Sequence, residues 1–105
     1  MFKRDPNPTF KATVAVTVPG ADSLPLALVF RHKTAAQLQD FLANAAGRTD
    51  ADMLADMVAS VDPAAKREGE ADADFLADVC NAYAAAKSDI LRTYLRELTE
   101  SKVKN

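Results

Sequence analysis

From Phe10 the chain alternates. Phe10, Ala12, Val14, Val16 and Val18 are apolar, and Lys11, Thr13, Ala15 and Thr17 stand between them. A period of two, rich in β-branched residues, predicts a half-buried strand with one wet face. Pro19 and Gly20 are placed as in a type II turn, with Ala21, Asp22 and Ser23 completing the turn chemistry. The alternation resumes with Leu24, Leu26, Leu28 and Phe30 on one face. Pro25 has no N–H to donate, so it must lie at a free edge or at the strand start. Residues 10–31 therefore read as a β-hairpin. A hairpin alone is barely stable in water, so its Val/Leu/Phe face needs a cover.

After a charged corner (Arg31, His32, Lys33) the period changes from two to that of a helix. Thr34 and Gln37 have the spacing of a capping box. Leu38, Phe41, Leu42 and Ala45 then recur on one helical face. Gly47 stands where a left-handed residue closes a helix, and Arg48 suits the negative end of its dipole. Burying Leu38, Phe41 and Leu42 would contribute about 1.5–3 kcal/mol each. A helix this short is marginal alone, and the hairpin is the nearest surface for its stripe.

A second helix, capped by Thr49 or Asp50, is expected through about Val61, with Met53, Leu54, Met57, Val58 and Val61 apolar. Asp62-Pro63 interrupts it, because proline disfavours helix in the residue before it. Residues 63–71 read as an exposed loop. Asp72 is expected to cap a third helix carrying Phe75, Leu76, Val79, Cys80 and Tyr83. Ser88 is expected to start a fourth, bearing Ile90, Leu91, Tyr94, Leu95 and Leu98. The intervening alanines equally allow helices three and four to run on as one. The fold class expected is α+β: an N-terminal β-hairpin packed against a small bundle of three to four α-helices. Residues 1–105 are expected to form a single domain, with the helical part over 34–101 and residues 1–9 and 102–105 extended or frayed. No internal repeat is read from the chain.

Charge changes the picture more than composition does. Residues 1–33 carry a net +3, residues 34–86 a net −7 and residues 87–105 a net +2. An acidic middle argues against a nucleic-acid surface, which needs a basic stripe. No apolar run approaches the roughly 18 residues of a membrane span. The N-terminus, Met-Phe-Lys-Arg-Asp-Pro, lacks the apolar core of a signal peptide. A cytosolic protein is therefore expected, and the single cysteine, Cys80, fits a reducing compartment.

Catalytic chemistry finds little to stand on. His32 is the only histidine and has no Ser, Cys or Asp pattern around it. Cys80, among Leu76, Val79 and Tyr83, reads as a small core hydrophobe rather than the partner of His32. Asp50-Ala51-Asp52 and Asp72-Ala73-Asp74 begin like calcium loops, but Ala55 and Ala77 stand where such loops need glycine. Asp52/Asp56 and Asp74/Asp78 are like-charge pairs one helical turn apart, so they read as a solvated face or a docking surface. Met53 and Met57 are either core filling or a pliable binding surface. No enzyme, metal or cofactor is expected.

The ordered set of motifs resembles a family of small phage tail assembly chaperones, of the kind encoded by long-tailed phages and prophages. It comprises N-P-T-F at Asn7 to Phe10, V-P-G at Val18 to Gly20, and F-R-H-K-T at Phe30 to Thr34. It continues through Leu38, Phe41 and A-G-R at Ala46 to Arg48. It closes with Tyr83, Ile90, Tyr94, L-R-E-L-T-E at Leu95 to Glu100, and Lys104-Asn105. Two departures stand out: relatives often carry tryptophan near Val61, and Pro-Gly where this chain has Ala84-Ala85.

The resemblance implies a non-enzymatic role in tail morphogenesis in the host cytoplasm. The implied partner is the tape measure protein, kept soluble by a coat of the chaperone. A longer form made by ribosomal frameshifting would recruit the tail tube protein. The expected contact surface is the acidic second helix at Asp52, Met53, Asp56 and Met57, with self-association into a homo-oligomer through an exposed hairpin edge. The alternative is a small prophage-encoded regulatory or adaptor protein acting by protein–protein binding.

Overall fold

A computed structural model of the chain describes residues 2–100, so the helix end expected at 101 and the frayed end expected at 102–105 lie outside the described residues. The two alternating runs form β1 (Thr9–Val16) and β2 (Leu24–Arg31), antiparallel, with Phe10 opposite Phe30 and Val14 opposite Leu26. Their connection bears out the turn chemistry. Gly20 has φ +75°, and the Ala21 N–H donates to the Val18 carbonyl at 3.1 Å. Positive φ at the third position of the turn is the type II geometry that glycine alone adopts without strain.

The hairpin is extended by a third strand. Residues Val58–Val61, expected as the end of the second helix, instead form β3. It pairs antiparallel with β2 through Leu28–Val61 and Val29–Ser60, with an irregularity beside Phe30. The sheet order is β1-β2-β3. Val-Ala-Ser-Val is too short for its period to decide between helix and strand. The free edge of β2 decides it, since pairing there satisfies backbone groups that would otherwise need water. Pro25, second residue of the now central strand, lies beyond the stretch that β3 reaches.

The first helix, α1 (Ala35–Ala43), starts as expected. The Gln37 N–H donates to Thr34 Oγ1 at 3.2 Å, and the Thr34 N–H donates to Gln37 Oε1 at 2.9 Å. It ends a turn early, because the Asn44 N–H and side-chain amide both bond the Asp40 carbonyl, at 3.1 and 2.8 Å. A 3₁₀ turn over Ala45–Gly47 follows, and Gly47 does not adopt the left-handed conformation expected of it. The stripe narrows accordingly: Phe41 is buried, Leu38 is partly buried, and Leu42 is 47% exposed.

Thr49 caps α2 (Asp50–Met57) by accepting from the Asp52 N–H at 3.1 Å. The third helix, α3 (Asp72–Ala82), has Ala71 at its cap position, and Asp72 lies inside the first turn. A break at Tyr83 separates it from α4 (Ala86–Thr99), so helices three and four are distinct without a Pro-Gly turn. The Ala86 N–H donates to the Tyr83 carbonyl at 3.0 Å across that break. Alanine propensity favours one long helix, but tertiary packing overrides it. Turning the chain at Tyr83 brings Ile90 and Tyr94 down on the sheet, where both have no exposed surface.

The cover over the hairpin is thus α4 rather than α1. The Tyr94 ring stacks on Phe30 at 5.1 Å and lies 6.2 Å from Phe10, with Phe41 meeting it edge-on at 6.1 Å. Such aromatic contacts add about 0.5–1.5 kcal/mol each beyond the area they bury.

Candidate interaction surfaces

Helices α2 and α3 share a sequence. Asp-Ala-Asp-Met-Leu-Ala-Asp-Met at 50–57 recurs as Asp-Ala-Asp-Phe-Leu-Ala-Asp-Val at 72–79, identical at six of eight positions. This corrects the expectation of no internal repeat. The structure brings the two copies together. They wall a groove of about 530 Å³ whose lining takes equivalent residues from both: Ala51 and Ala73, Leu54 and Leu76, Ala55 and Ala77. Val58 and Cys80, Asp50 and Asp72 line it as further equivalent pairs. The like-charge spacing and the paired Asp-Ala-Asp runs were the signal in the sequence. Only the packing shows that the alanines line the groove with Asp50 and Asp72, while Asp52, Asp56, Asp74 and Asp78 lie outside its lining.

Each carboxylate of the groove's own lining is partnered. Lys87 Nζ lies 2.6 Å from Asp50 Oδ1, and Lys66 pairs with Asp72. Arg31 Nε donates to the Ala55 carbonyl at 3.3 Å. Burial pushes the Cys80 thiol above its ordinary pKa, the charge of Asp50 adds to this, and Lys87 opposes it. A raised pKa makes the thiolate scarce, the opposite of what a nucleophile needs.

The four residues expected to form the contact surface divide into two pairs. Met53 and Met57 lie in the core, 3% and 0% exposed, so core filling is the reading the structure supports. Asp52 is exposed. Asp56 is half-buried and accepts from Lys33 Nζ at 2.8 Å and Arg48 Nη1 at 2.9 Å. Desolvation raises the Asp56 pKa, but hydrogen bonds and charge from Lys33 and Arg48 outweigh it, holding the carboxyl below its ordinary range. Both cations also lie over the Phe41 ring, at 5.1 and 6.0 Å from its centre. Asp56 therefore ties the corner after β2 to α2, and α1 to both.

His32 and Cys80 line separate cavities and are not brought together. The His32 backbone N–H donates to the Pro8 carbonyl at 2.9 Å. Among the described residues, no three of His, Cys, Asp and Glu gather where they could hold a metal ion. Among the same residues, no helix is long and apolar enough to cross a membrane.

A family model described as phage tail assembly chaperone matches residues 1–105, the whole chain. No curated protein and no solved structure matches it.

Proposed function

The chain belongs to the phage tail assembly chaperone family, and from that premise we propose that it binds the tape measure protein and keeps it soluble during tail morphogenesis in the host cytoplasm. The whole-chain family match is the observation that carries this reading. The physical need is plain: a long protein with exposed apolar stripes aggregates unless the stripes are covered. A small domain with an acidic, accessible helix face and a stable core can provide cover in many copies.

The contact with the tape measure protein lies on the outward face of α2. Asp52 and the exposed part of Asp56 meet basic residues of the partner there, and Met53 and Met57 hold that face rigid from behind. The function is binding, with no catalysed step. Copies associate as they cover the partner, and the outer edge of β1, which no strand pairs among the described residues, offers one contact between them. A frameshifted longer form brings the tail tube protein to the complex.

Co-expression with the tape measure protein of the same phage, followed by pull-down and a solubility assay, tests this. The expected result is a soluble complex with many copies of this chain per partner, weakened by Asp52→Lys. If two well-folded proteins neither bind nor stay soluble together, the tape measure reading fails and the adaptor reading replaces it.

A further inference from the structure

The outer side of α4 carries an apolar ridge that the core uses only in part. Ile90 and Tyr94 face inward, whereas Leu91, Arg92, Leu95 and Arg96 line a surface depression of their own. Leu91 and Leu95 are only partly buried; Leu91 packs against the edge of the core, and Leu95 does not. Arg92 keeps 61% of its side chain exposed although it pairs with Asp89. The ridge and its two arginines make an amphipathic face that the molecule itself covers only in part.

Its complement lies on the same molecule. Leu91 and Leu95 are one helical turn apart, about 6 Å along the axis. Ala51 and Ala55 have that spacing on one wall of the groove, and Ala73 and Ala77 have it on the other. Two pairs of alanines so spaced leave holes into which two leucines one turn apart can seat as knobs. The charges match at the same interval. Arg92 and Arg96 follow the leucines by one residue, and Asp74 and Asp78 follow Ala73 and Ala77 by one residue. Asp74 and Asp78 are exposed and form no ion pair among the described residues, whereas the equivalent Asp56 on α2 is taken up by Lys33 and Arg48. The α3 lip therefore keeps two exposed carboxylates outside any ion pair among the described residues, where the matching positions of α2 keep only Asp52.

We infer that the groove between α2 and α3 receives the Leu91–Leu95 ridge of α4 from a second copy of the chain, with Arg92 and Arg96 set against Asp74 and Asp78. No α4 residue lines the groove within one molecule, so the two halves meet only between copies. Groove and ridge are different surfaces, which makes the contact head-to-tail: each copy that fills one groove offers its own to the next. Such a contact builds rows of copies, a geometry suited to covering a long partner, yet it stands on this chain's surfaces alone.

Sedimentation velocity on the full chain, over micromolar to millimolar concentration, tests the contact. Two variants each disable one half: Ala77→Lys fills the groove with a like charge toward the arginines, and Leu95→Lys removes the ridge. Both positions lie outside the core, and circular dichroism checks that each variant folds. The parent is expected to associate with rising concentration, and more weakly at high salt. Each variant alone is expected to associate at least tenfold more weakly. Their mixture is expected to recover a 1:1 complex, because it retains one intact groove and one intact ridge. A parent that stays monomeric throughout overturns the inference. So do variants that associate like the parent, as pairing through the β1 edge would produce, or a mixture that recovers nothing. A monomeric parent whose capture of the tape measure protein is abolished by Ala77→Lys would assign the groove to that partner instead.

Discussion

The Tyr94 hydroxyl donates to the Arg31 carbonyl at 2.7 Å, joining the middle of α4 to the last residue of β2. The ring beneath that hydroxyl stacks on Phe30, so one side chain secures both the face and the end of the sheet. Burial pushes the Tyr94 hydroxyl well above the ordinary tyrosine range, the Asp56 charge adds to this, and Arg31 opposes it. It stays a protonated donor throughout the working pH range. Tyr94→Phe keeps the stack and leaves the carbonyl without this donor. A loss of about 1 kcal/mol is expected, read as a fall in Tm of roughly 4–8 °C. Tyr94→Ala removes the stack as well and is expected to cost about 3–5 kcal/mol in urea unfolding.

Asp89 anchors the opposite end of β1. Its Oδ2 accepts the Thr17 N–H at 2.8 Å, and its Oδ1 accepts Arg92 Nη2 at 2.9 Å. The residue is 5% exposed, so Asp89→Ala strips a part-buried backbone donor of a charged acceptor. Hydrogen bonds to charged groups contribute about 1.5–3 kcal/mol. Urea unfolding of Asp89→Ala is expected to show a loss in that range. Arg92→Ala, which leaves the Thr17 bond in place, is expected to lose clearly less.

Asp56 makes stability depend on acid. Its folded-state pKa lies below the ordinary value, so protons bind the unfolded chain more readily than the folded one. The stabilisation is therefore complete above the unfolded pKa, about 4, and is lost as pH falls through the depressed folded value. The difference in unfolding free energy between the parent and Asp56→Asn is expected to be largest at neutral pH and to shrink below about pH 4. Urea titrations at a series of pH values measure it. A difference that grows toward acid would contradict the ion-pair account.

Cys80 lines the groove with a thiol whose pKa burial raises. Its reaction with a disulfide reagent near neutral pH is expected to be slower than that of an unstructured cysteine, because thiolate is the reacting form. Unfolding in urea is expected to abolish the difference. Equal rates in the folded and unfolded chain would show that Cys80 is not shielded.

Little of the groove was legible in the letters. The paired Asp-Ala-Asp runs and the spacing Asp52/Asp56 and Asp74/Asp78 read as broken calcium loops and charged faces, and the repeat that joins them went unread. What the letters obscure is which side faces which. Met53 and Met57 fit a core and a binding surface equally well by periodicity, and burial under the sheet selects the core. Leu42 shows the reverse: it belongs to the apolar stripe of α1, yet the early stop at Asn44 and the seating of Phe41 leave it in solvent.

The sequence by itself determined what depends on neighbours along the chain. The capping box at Thr34 and Gln37, the Pro19-Gly20 turn and the alternating faces of β1 and β2 all follow from contacts a few residues apart. Tertiary structure alone decided the fate of segments whose local preference is weak. Val58–Val61 became a strand because β2 offered it an edge, and the helix broke at Tyr83 because Ile90 and Tyr94 had a sheet to cover. Short apolar runs satisfy either period almost equally, so the free energy of distant pairing and burial settles them. The groove between α2 and α3 is of the same kind: two like helices are written in the chain, and only their packing brings four alanines into the lining of one groove.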